Sequence, residues 1–75
     1  MLPTLQLPVV IERDEDGYYA YCPSLQGCQT QGRTYEQALE NIRDAVQLYL
    51  EDMKENGEEL PTVASCSLTT VTVAV

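Results

Sequence analysis

Seventy-five residues suffice for one domain around one core, residues 1–75, and nothing repeats at a period that would build a solenoid. Twelve acidic side chains against four basic ones leave a net charge of -8, which repels a phosphate backbone and argues against direct nucleic-acid binding. The chain has no histidine and no apolar run near the roughly 20 residues of a membrane span, which argues against the commonest acid-base catalysis and against a bilayer location.

Leu5, Leu7, Val9 and Ile11 alternate with Gln6, Pro8, Val10 and Glu12, the period-two pattern of a strand, predicted over residues 5–13. Pro8 lacks an amide hydrogen and so belongs at an edge or a bulge. Asp14-Glu15-Asp16-Gly17 supplies a turn, and Tyr18-Tyr19-Ala20-Tyr21-Cys22 returns as a second strand over residues 18–22. Two registers fit this hairpin. A two-residue turn at Asp16-Gly17 pairs Ile11 with Cys22, and a four-residue turn pairs Ile11 with Ala20. Both place Val9, Ile11, Ala20 and Cys22 on one face and Val10, Tyr19 and Tyr21 on the other.

Pro23-Ser24-Leu25-Gln26-Gly27 breaks the second strand, and a short third strand follows over residues 28–32. With Cys22 opposite Cys28, the ladder continues as Tyr21 with Gln29, Ala20 with Thr30, and Tyr19 with Gln31. Three cysteines, Cys22, Cys28 and Cys66, are an odd number at spacings that match no zinc or redox motif. They are expected as free thiols filling a core, and the lack of a basic leader in Met1-Leu2-Pro3-Thr4 is read as a cytoplasmic location.

Thr34-Tyr35-Glu36-Gln37 is a capping box that opens a helix over residues 35–56. Tyr35, Ala38, Leu39, Ile42, Ala45, Val46, Tyr49, Leu50 and Met53 recur at three- and four-residue steps as its packing stripe. Asn56-Gly57 ends it through a left-handed cap, and Leu60-Pro61 opens a polar connection. Val71, Val73 and Val75 then alternate with Thr70 and Thr72, predicting a fourth strand over residues 68–75. The expected fold is α+β, in the order β-β-β-α-β: a mostly antiparallel four-stranded sheet of order 3-2-1-4 with one helix packed on one face.

One helix covers one face of such a sheet, so Val10, Tyr19 and Tyr21, flanked by Gln29 and Gln31, have no cover within the chain. These five residues are the candidate interface for a partner or a second copy. Tyrosines give large contact area at small entropic cost, and glutamines give adaptable hydrogen bonds. The plainer reading is a solvated polar face, which antiparallel sheets often keep. No catalytic residue, cofactor site or metal site is expected. Glu12, Asp14, Glu15 and Asp16 flank a hairpin and lack the helical frame of a calcium loop, and the cysteines have no base beside them. The row Glu36, Glu40 and Asp44 on the helix suits either water or a basic partner.

Val9-Val10-Ile11-Glu12, Asp16-Gly17-Tyr18, Pro23-Ser24-Leu25-Gln26-Gly27-Cys28, Gln31-Gly32 and Thr34-Tyr35-Glu36-Gln37-Ala38-Leu39, with Asn41-Ile42 and Tyr49-Leu50, occur in an order that resembles the HicB-like antitoxins. The resemblance spans roughly Leu7 to Pro61. It implies a partial ribonuclease H-like fold and neutralisation of a HicA-type toxin, a small basic RNA-cleaving protein, by occlusion. It carries over no catalytic residue. A helix-turn-helix or ribbon-helix-helix segment, present in longer members, is not found after the fourth strand, so operator binding is not expected. Besides the toxin, a homo-oligomer, dimer or tetramer, is expected. Two competing readings are a stand-alone oligomeric regulator or scaffold without a toxin, and a remnant magnesium-dependent nuclease.

Overall fold

Ile11 faces Ala20 across the first hairpin, the second of the two registers the sequence allows, but Asp14 and Gly17 also pair, so the loop has two residues and not the four expected with that register. In the computed structural model, which describes residues 4–62 and 65–75, β1 (Val10–Asp14) pairs antiparallel with β2 (Gly17–Tyr21) from Val10↔Tyr21 to Asp14↔Gly17. Glu15 and Asp16 make the turn, where the Asp14 carboxylate accepts the Asp16 amide at 2.8 Å. Gly17 takes a φ of +139°, a region that side chains rarely enter.

The second hairpin keeps the predicted ladder, with Tyr19↔Gln31, Ala20↔Thr30 and Tyr21↔Gln29 joining β2 to β3 (Gln29–Gly32). The Cys22 amide donates to the Cys28 carbonyl at 3.0 Å, closing the turn that Leu25 plugs from inside. Both cysteines are buried and unbridged. Cys66, expected in the core, is instead exposed, as is every residue of its segment from Ser65 to Val75.

Helix α1 (Tyr35–Glu55) begins where Thr34 turns extended and its hydroxyl accepts the Gln37 amide at 3.0 Å. The Gln37 side chain returns the favour one residue earlier than a standard capping box, accepting the Arg33 amide at 2.6 Å. At the far end the Glu58 amide donates to the Met53 carbonyl and the Gly57 amide to the Lys54 carbonyl. That is a Schellman pair, and Gly57, at a φ of +70°, supplies its left-handed residue.

Ala20, Cys22, Leu25 and Cys28 from the sheet side meet Ala38 and Ile42 from the helix in one buried cluster. Ile11, Tyr18, Leu39, Ala45, Val46, Tyr49, Leu50 and Met53 pack around it. Tyr35, assigned to the packing stripe, is half exposed at 50% and meets Tyr18 edge-on, with ring centroids 6.4 Å apart. The helix lies chiefly over β3 and β2 and touches β1 least.

The fold is thus α+β, but among the described residues the sheet has three strands in the order β1-β2-β3. The predicted fourth strand, residues 68–75, and the 3-2-1-4 order are corrected: that segment pairs with no strand and is exposed throughout. The first strand is also shorter than predicted. Tyr21 ends β2, so residues 5–9 extend past it with no neighbour to bond, although Leu7 and Val9 still pack on the core. Alternation reports which face a residue prefers; it does not supply the neighbouring backbone that makes a strand.

Candidate functional site

Period-two alternation through the observed registers sends Ile11, Tyr18, Ala20 and Thr30 toward α1 and Val10, Tyr19, Tyr21, Gln29 and Gln31 the other way. Ala20 is fully buried beneath the helix, whereas neither Tyr19 nor Tyr21 belongs to the core cluster. All five candidate residues therefore share the sheet face opposite the helix.

Within that face the side chains organise one another. The Tyr19 and Tyr21 rings lie 5.7 Å apart between centroids at a tilt of 36°, within the separation at which aromatic pairs attract. The Tyr19 hydroxyl donates to the Gln29 side-chain oxygen across the ladder. Val10 sits directly opposite Tyr21, and it and both tyrosines are half-buried, whereas Gln29 and Gln31 are exposed. The result is an amphipathic patch with an aromatic centre and an amide rim.

One member of this face was missed in the sequence. Glu12 pairs opposite Tyr19 and so adds an exposed carboxylate beside the rings. Parity with Val10 already places it there, but it was grouped with the acidic turn. Gln31 is held from behind: the Asn41 amide, projecting from α1, donates to the Gln31 carbonyl at 2.8 Å and fixes the β3 edge to the helix.

The remaining chemistry lies elsewhere. Glu15 and Asp16 are exposed in the turn, and Glu36, Glu40 and Asp44 are exposed on α1, across the sheet from the tyrosines. Among the described residues no three His, Cys, Asp or Glu side chains gather as a metal site. Cys22 and Cys28 lie on the helix-covered side, where burial, and then the neighbouring Cys22, push the Cys28 thiol above its usual range. A thiol so shifted is a poor nucleophile at neutral pH. Among the described residues no helix is long and apolar enough to cross a membrane.

A concavity of about 480 Å³ opens between the segment before β1 and the middle of the helix, from Leu39 to Leu50. Leu5, Leu7 and Val9 form one wall and Leu39, Val46 and Leu50 the other, with Gln6, Arg43 and Gln47 at the margin.

Comparison with known proteins agrees with this frame. Residues 7–73 match the family described as the HicB-like antitoxin of bacterial toxin-antitoxin systems. A UPF0150 protein of Helicobacter pylori (strain J99) is 56% identical over 45 residues, which are 60% of this chain and 62% of that protein's own length. The match to a UPF0150 protein of Thermoplasma acidophilum is 45% identical over 76% of this chain and 84% of the relative. One from Archaeoglobus fulgidus is 45% identical over 73% and 80%. With the family match running from Leu7 through both hairpins and the helix to Val73, the chain belongs to the HicB-like antitoxins of bacterial toxin-antitoxin systems.

Proposed function

We propose that this protein is a non-catalytic antitoxin that neutralises a HicA-type RNA-cleaving toxin by covering it, with Val10, Tyr19, Tyr21, Gln29 and Gln31 as the contact face. The observation that carries the reading is a tyrosine-centred sheet face that no described residue of the core cluster covers, in a member of an antitoxin family. A protein that grips RNA is basic where it does so, and a partner of net charge -8 is drawn to such a surface. Glu12 beside Tyr19 puts part of that charge on the face itself. Tyrosine rings already paired at 5.7 Å lose little freedom on binding, which favours a tight complex.

Co-expression tests this directly. A small basic reading frame from the same operon is induced with and without the antitoxin, and growth and co-purification are scored. Rescue and co-purification by the native chain, both lost with Tyr19→Asp and Tyr21→Asp together, are expected. A native chain that neither rescues nor co-purifies ends the reading, and rescue undiminished by the double substitution removes this face from it.

A second reading is an oligomeric regulator with no toxin, and the exposed apolar side chains of residues 68–75 favour it. A stable self-assembled particle with no basic partner in the operon would select it.

A further inference from the structure

Three features of the fold stand open together: a groove, a sheet edge and an apolar tail. The groove is the one walled by Leu5, Leu7 and Val9 against Leu39, Val46 and Leu50. The edge is the outer side of β1 and the segment before it. β1 has a partner on one side alone among the described residues, and residues 5–9 are extended past the end of β2 with none. The tail is residues 68–75, with Leu68, Val71 and Val73 exposed at 84%, 81% and 70%.

The helix explains why the groove exists. Its 21 residues span roughly 30 Å at 1.5 Å per residue. Strands of four and five residues reach only about 17 Å at 3.3 Å per residue. The C-terminal half of α1 therefore overhangs the sheet, and Val46 and Leu50 meet the unpaired residues before β1 instead of a strand. A strand laid along that edge would bond the free backbone of residues 5–9 and roof the groove.

The tail has the pattern that such a strand needs. Laid out as a strand, it would turn Val71, Val73 and Val75 to one side and Thr70, Thr72 and Ala74 to the other. Valines turned into the groove would meet its leucines and valines. Threonines turned outward would continue the polar face that carries Tyr19 and Tyr21.

We infer that two copies of this chain exchange tails, each inserting residues 68–75 as an added strand along residues 5–9 and the outer edge of β1 of the other copy. A second copy is the occupant because each chain carries its own tail clear of its own groove. Leu60 and Pro61 are still partly buried against the body, and from Ser65 onward every residue is exposed. Pro61 stiffens the departure and keeps Leu60 from helical geometry, as suits the hinge of an exchanged element. One chain therefore displays both a site and the segment that fits it, and a reciprocal pair closes both without leaving an open end. The exchange needs no toxin and leaves the tyrosine face free, so its failure and the failure of the antitoxin reading are separately visible.

Light scattering on the full chain is expected to give twice the 8.4 kDa chain mass, and Val71→Asp with Val73→Asp is expected to return the 8.4 kDa monomer. A half-labelled sample, with isotope-labelled and unlabelled chains mixed through denaturant, decides the geometry even if that variant fails to fold. Isotope-filtered cross-peaks between the Val73 methyls of one chain and the Leu7 or Val46 methyls of the other are expected. A monomer at NMR concentration overturns the proposal. So does a dimer in which these contacts are intramolecular or missing.

Discussion

Gly32 on β3 and Ala38 on α1 approach so closely that a Cβ added to Gly32 would sit 2.5 Å from the Ala38 backbone nitrogen and 2.8 Å from its Cα. Both atoms belong to helix backbone, so neither can swing aside. This contact lets the helix start lie flat on the sheet and brings Ala38 and Ile42 down to Ala20, all three with no exposed surface. Gly32→Ala is therefore expected to lift the N-terminal turns of α1 and destabilise the fold by about 2 kcal/mol or more, as overpacking of a close contact does. Urea unfolding followed by circular dichroism checks it. An unchanged midpoint would mean that the helix rides higher than the structure places it.

Gly57 is the contrasting case. A Cβ there meets nothing within 4 Å, but its φ of +70° lies where L-residues are strained. Gly57→Ala is expected to cost about 1 kcal/mol, from backbone conformation alone. Gly57→Asn is expected to cost less, because asparagine visits this region more readily. The same unfolding measurement ranks the two. Equal losses would show that the Schellman turn is not what the substitution disturbs.

Much of this architecture was legible in the residues. Parity alone separates Ala20 and Cys22 from Tyr19 and Tyr21, whichever turn closes the hairpin, and both ends of the helix carry their capping residues in plain order. Ile11 opposite Ala20 was one of two open registers, settled by the Glu15-Asp16 turn and the Asp14 carboxylate beneath it. What misled was the strength of the pattern in residues 68–75. A valine-threonine alternation states that one side wants burial; a strand also needs a neighbour offering free amides and carbonyls, and such a neighbour is a property of the assembly. The same reasoning shortens the first strand to Val10–Asp14, since β2 stops at Tyr21. Cys66 was placed in the core by residue type, which carries no positional information.

Thr34 and Gln37 hold the helix start by two bonds of different kinds: a hydroxyl to the Gln37 amide and a side-chain carbonyl to the Arg33 amide. Thr34→Ala is expected to lose about 1 kcal/mol, the usual worth of an N-cap, while Thr34→Ser or Thr34→Asp retains most of it. Because the helix start is also the Gly32–Ala38 contact, hydrogen exchange at the first helical turn is expected to quicken along with exchange in β3. Faster exchange confined to the first turn would show that the cap serves the helix and not its docking.

Cys28 gives the pH dependence its sign. Its folded thiol is pushed upward, first by burial and then by Cys22, so the folded state holds its proton more tightly than the unfolded chain does. The unfolded thiol titrates at about 9.0. The stabilisation is therefore complete below that pH and is lost as pH rises from there through the folded value, while the thiol contributes no loss toward acid. In a thiol-disulfide exchange assay with an aromatic disulfide at pH 8, the exposed Cys66 is expected to react at once. Cys22 and Cys28, buried and free, are expected to react only at the rate at which the second hairpin opens. Cys28→Ser is expected to lose stability through the buried hydroxyl and to flatten the alkaline decline that the native chain shows. An alkaline decline of the same slope in that variant would assign it to other groups, and equal reactivity of all three thiols in the native chain would show the turn around Leu25 to be open.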